Sequence, residues 1–88
     1  MSKELQQRAK TFLKISIPKD LDYVSGSVAE RFIVAYAKAG LLDLDEELCE
    51  LMDLSAAEAE SAAADASGEA QAYLRESAAI LREILKEA

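Results

Sequence analysis

The residues with the most chemical potential in this chain are acids. Asp43, Asp45, Glu46, Glu47 and Glu50 follow one another closely, and so many oxygen donors raise calcium as a possible ligand. A calcium loop of the EF-hand kind holds its donors around a central Gly, whereas these carboxylates are spaced along a helix opening near Leu44. Paired carboxylates exchange protons usefully only where burial drives their pKa values apart, and this run reads as exposed. The chain has no His, so it offers no imidazole base and no nitrogen ligand for a metal. Its single thiol, Cys49, stands among carboxylates with no cation to stabilise a thiolate. Beside Leu48 and Leu51 it reads as a small core residue. Gly26, Gly40 and Gly68 make no phosphate loop, since none is followed by Lys and a hydroxyl residue. No catalytic residue, metal site or cofactor is assigned, and the expectation is a protein that is not an enzyme.

What remains is charge, unevenly placed. Lys3, Arg8, Lys10, Lys14 and Lys19 are opposed locally by Glu4 alone, while no Lys or Arg occurs between Asp43 and Glu69. Like charges one helical turn apart repel by about 0.2–0.5 kcal/mol a pair, so this acidic stretch gains no stability from its charge. The net charge of −7 over 88 residues disfavours nucleic acid and anionic membranes and favours a protein partner with a basic surface. The acids expected to meet that partner are Asp45, Glu46, Glu50, Asp53, Glu58 and Glu60. The lone Cys implies no oxidising compartment, and the first residues are basic and amphipathic rather than an apolar leader. The longest apolar run, Phe32 to Ala37, is too short to span a bilayer. A cytoplasmic, membrane-free protein is expected.

The elements that position these groups are helical, in one domain over 1–88. Leu5, Ala9, Phe12 and Leu13 share a face of a basic helix over 3–16, which Pro18 ends. A rival pattern, Thr11, Leu13, Ile15 and Ile17 in alternation, would make 11–17 a strand needing a partner from another subunit. A short helical turn follows Pro18 and closes at Gly26. Ser27 with Glu30 forms a capping box that opens a helix over 28–39, apolar nearly all round and therefore central. Asp43 with Glu46 opens an acidic helix over 44–53 whose inner face is Leu44, Leu48, Leu51 and Met52. Ser55 with Glu58 opens a C-terminal helix over 56–87.

That last helix carries one apolar line, Ala59, Ala63, Ala66, Ala70, Leu74, Leu81, Ile84 and Leu85. Unbroken, it would be about 48 Å long at 1.5 Å per residue. A compact chain of this size is only about 30 Å across. Either the helix breaks at Ser67-Gly68, or it projects and packs on another chain. Small residues let two backbones approach closely, so this line is the expected interface of a homodimer.

The segment from Glu47 through Ser55 to Ala63 resembles a helix-turn-helix. It has a small residue in the first helix (Cys49), apolar residues before and within the turn (Met52, Leu54), a cap (Ser55) and apolar contacts beyond (Ala59, Ala62). The resemblance implies a second helix lying in the DNA major groove. Here that helix bears Glu58, Glu60 and Asp65, with no Lys, Arg, Asn or Gln before Gln71, and phosphates would repel it. Asp53 also stands where such motifs usually place Gly in the turn.

The fold class expected is therefore all-α, a small bundle of about four helices. The function expected is a non-catalytic, acidic interaction module of the adaptor, inhibitor or chaperone-like kind. Two other functions fit the residues. One is a small dimeric transcriptional regulator or antitoxin whose basic N-terminus meets DNA, as a β-ribbon if 11–17 is a strand. The other is a self-assembling structural subunit.

Overall fold

Alternation of apolar and polar residues at helical spacing produces four helices in a computed structural model that describes residues 3–18, 23–39 and 44–87. They are α1 (Lys3–Leu13), α2 (Tyr23–Ala39), α3 (Glu46–Asp65) and α4 (Gly68–Lys86), and no strand occurs among the described residues. The fold is an all-α bundle. Helices α2 and α4 each touch the three others, whereas α1 and α3 lie on either side of them and do not touch. The centre expected of helix 28–39 is thus shared with α4.

Helix α1 buries Leu5, Ala9 and Phe12, an i, i+4, i+7 line, and ends three residues before the expected limit. Its end tightens through Lys14 N–H to Thr11 carbonyl at 3.2 Å and Ile15 N–H to Phe12 carbonyl at 3.0 Å. Residues 11–13 are helical, so the strand alternative for 11–17 does not form. Helix α2 begins at Tyr23 and runs through Gly26 and Ser27, so Ser27 does not cap it. The short turn expected after Pro18 falls partly on residues 19–22, outside the described residues.

The largest departure lies in α3. The expected stop between Asp53 and Ala56 is absent, and the helix continues for 20 residues. No Gly or Pro occupies 53–55 to end it. Ser55 is buried inside the helix, and its hydroxyl donates to the Leu51 carbonyl at 2.8 Å, a bond available to Ser mid-helix. The segment resembling a helix-turn-helix is therefore one unbroken helix. Asp43 lies outside the described residues. The residue that caps α3 is Asp45, whose carboxylate accepts from Leu48 N–H at 2.7 Å.

The chain turns instead at Ala66–Ser67, one residue before the expected break. At 1.5 Å per residue, α3 already runs about 30 Å, and the longest extent of the molecule is 32 Å. Gly68 has φ of 62°, a conformation costing other residues about 1–2 kcal/mol, and it lets the chain double back into α4. Gln71 Nε2 then reaches back to the Ala63 carbonyl at 2.9 Å, satisfying an end of α3. The C-terminal helix expected over 56–87 is thus two helices packed as a hairpin. The alanine half supplies Ala56, Ala59 and Ala63 to the core, and the other half supplies Tyr73, Leu74, Ile80, Leu81 and Ile84.

Two tyrosines tie the elements together. The Tyr36 hydroxyl donates to Glu87 Oε2 at 3.0 Å, joining α2 to the end of α4. Tyr73 stacks at a tilt on Phe12, ring centroids 4.7 Å apart, joining α4 to α1. Burial, then the Glu87 carboxylate, pushes Tyr36 up to about 12. Burial, then the charge of Glu30, does the same to Tyr73, also to about 12. Both folded-state values lie above the ordinary 10.0, so the neutral hydroxyls favour the fold. Their contribution is complete below pH 10 and disappears as pH rises through 12. Denaturant midpoints should fall steeply in that window for the native chain, and less steeply for a Tyr36→Phe, Tyr73→Phe double variant. Tyrosinate absorbance developing fully near pH 10 would contradict this account.

Candidate functional site

The outward face of α3 gathers most of the residues singled out by type. Helical spacing turns Met52, Ser55, Ala56, Ala59 and Ala63 inward and leaves Glu46, Glu47, Glu50, Glu58 and Asp65 exposed on other faces. No basic residue occurs anywhere in α3. Glu46 and Glu47 occupy its first turn, where the helix dipole favours negative charge.

The six acids expected at a partner surface are all exposed, but they divide into two groups. Asp45 is used as the cap. Asp53 and Glu60 converge on Arg82 of α4: one guanidinium nitrogen pairs with Asp53 Oδ1 and the other with Glu60 Oε1 at 2.6 Å. Hydrogen bonds to Glu60 first and Asp53 second hold Arg82 more firmly protonated than usual. These pairs are more than a third exposed, so each contributes at most about 1 kcal/mol. Glu46, Glu50 and Glu58 are exposed and make no ion pair among the described residues.

The line expected to meet a second copy is occupied within the chain. Ala59, Ala63, Ala70, Leu74, Leu81 and Ile84 are buried in the core of this one chain, and Ala66 and Leu85 pack against it half-buried. Folding back at Ala66–Ser67 turns the two halves of the line toward neighbouring helices of the same molecule.

Leu51 and Leu54 carry a signal that the sequence reading assigned elsewhere. Leu51, expected on the inner face, is 48% exposed, and Leu54, expected inside a turn, is 59% exposed. Once α3 runs unbroken, the buried alanines set its rotation, and Leu51 falls about 90° from the middle of the buried face at 100° per residue. Two large apolar side chains thus stand among Glu47, Glu50 and Glu58. Neither Glu47 nor this apolar pair featured among the expected partner-binding residues. Their i, i+3 spacing, read on a single unbroken helix, was the available sign.

Elsewhere the chemistry is sparse. Cys49 is half-buried. Among the described residues no three His, Cys, Asp or Glu side chains gather to hold a metal. No helix is long and apolar enough to cross a membrane. An open groove of about 520 Å³ lies between the end of α1 and α4, with Phe12, Ile15, Pro18 and Tyr73 in its wall and Glu69 and Glu76 also lining it. Arg8 Nε donates to Glu76 Oε1 there at 3.0 Å, fastening α1 to α4. The Ser16 hydroxyl also lines it, no imidazole does, and Glu76, one of its two acids, is paired with Arg8. Compared with protein-family models, with curated proteins and with solved structures, the chain matches none.

Proposed function

We propose that this chain is a non-catalytic interaction module that offers the outer face of α3 to a protein partner with a basic surface. One observation carries the reading. Glu46, Glu50 and Glu58 stand exposed, and unpaired among the described residues, on a helix without a basic residue, while the nearby Asp53 and Glu60 are neutralised by Arg82. The acids that hold the fold and the acids left to a partner are therefore different residues. Attraction between this face and a basic surface speeds encounter and sets orientation, and apolar contact supplies the lasting affinity. Adaptor and inhibitor roles both operate in this way. The absence of imidazole from the sequence supports a role without bond-making.

Changing Glu46, Glu50 and Glu58 together to Lys should leave the fold intact, because all three are exposed and none is ion-paired among the described residues. The same variant should cut capture of the partner from lysate by at least about tenfold, a loss of about 1.4 kcal/mol. The measurement is a quantitative pull-down at low and high salt, read by mass spectrometry, on native and triple-variant chains. Undiminished capture by the folded triple variant would refute the reading. Salt-dependent binding of random duplex DNA by the native chain would redirect it to the basic residues of α1.

A further inference from the structure

Residues 47, 51, 54, 58, 61 and 65 follow one line along α3, at alternating steps of four and three. They are Glu47, Leu51, Leu54, Glu58, Ser61 and Asp65, and all are exposed. A step averaging 3.5 residues is the spacing at which one helix lies along another. The apolar pair occupies adjacent places on the line, and a carboxylate bounds it on either side. Isolated exposed leucines are ordinary, but a pair at seam spacing bounded by carboxylates with no ion pair among the described residues is a pattern that a second helix can read.

Resting on the reading of α3 as a face for a basic partner, we propose that this line receives an amphipathic helix of another protein. Two apolar residues of that helix cover Leu51 and Leu54, and Lys or Arg one turn beyond on each side meets Glu47 and Glu58. Charge complementarity selects this occupant over a second copy. Pairing two α3 lines in either direction sets Glu47 and Glu58 against like charges. The outward line of α1, Lys3, Gln7 and Lys10, supplies cations but would cover the leucines with polar groups. A basic amphipathic helix satisfies both requirements at once.

The test uses the full chain and two fluorescent peptides of roughly 20 residues, long enough to form a helix on binding. The first places Leu at seam spacing with Lys on either side. The second has the same composition in an order that scatters Leu around the helix. Anisotropy should show the first peptide binding at least about tenfold tighter than the second. A Leu51→Gln, Leu54→Gln variant should remove that advantage while leaving the second peptide's binding and the thermal unfolding curve unchanged. Equal binding of the two peptides overturns this inference and leaves the basic-partner reading standing. Binding of neither at low salt overturns both. Sedimentation showing a native dimer that the double-leucine variant dissolves would identify the occupant as a second copy and also overturn the proposal.

Discussion

Leu81→Ala should remove a large share of the chain's stability. Leu81 has no exposed surface and stands in the half of α4 that supplies Leu74, Ile80 and Ile84 to the core. Removing a buried Leu side chain costs about 2–5 kcal/mol, combining lost transfer energy with the cavity left behind. The whole fold has about 4–13 kcal/mol to lose, at roughly 0.05–0.15 kcal/mol per residue. Relaxation into the cavity is limited here, because α4 is in contact with all three other helices and cannot move toward one without leaving another. Urea unfolding followed by circular dichroism should show a midpoint shifted far down with little change in slope. A shift worth less than about 1 kcal/mol would mean that α4 is not the packing centre described above.

Ala59→Leu tests the same core from the opposite direction. Ala59 is fully buried between Ala56 and Ala63 on the inner side of α3, with Met52 and Ser55 beyond. These side chains are short and Ala59 has no exposed surface, so the extra carbons of a Leu at 59 must displace neighbouring atoms. Overpacking costs about 1–3 kcal/mol, and more where backbones must separate. Leu is also a strong helix former, so the loss cannot come from helix propensity. Were α3 instead to expose its alanines, as a helix awaiting a second copy would, the same substitution would be neutral or stabilising. The sign of the change in melting temperature therefore distinguishes the two arrangements.

The helical class and the core of α1 were legible in the residues, since Leu5, Ala9 and Phe12 are large enough to give a clear period. Between Leu54 and Tyr73 the pattern weakens for a physical reason. Alanines bury little area, so which of them face inward is decided by the neighbouring helix rather than by contrast along the chain. Ser55 misled for a related reason: a hydroxyl three residues before Glu58 can cap a helix, but Ser is equally satisfied mid-helix by the carbonyl four residues back. The exposure of Glu46, Glu50 and Glu58 followed from their spacing. The neutralisation of Asp53 and Glu60 by Arg82 did not, because that residue lies 29 and 22 positions away and arrives only when α4 folds back. With the turn misplaced, the outward pair Leu51 and Leu54 was distributed between an inner face and a loop.

The separation of α1 from α3 gives the molecule an electrical polarity. Lys3, Lys10 and Lys14 stand on one flank of the α2–α4 pair, and Glu46, Glu50 and Glu58 stand on the other. A cationic macromolecule drifting nearby experiences a torque as well as attraction, and the two bodies rotate into alignment before they touch. Mobile ions damp this over about 8 Å at physiological strength, so the correct approach is chosen only in the last stretch of diffusion.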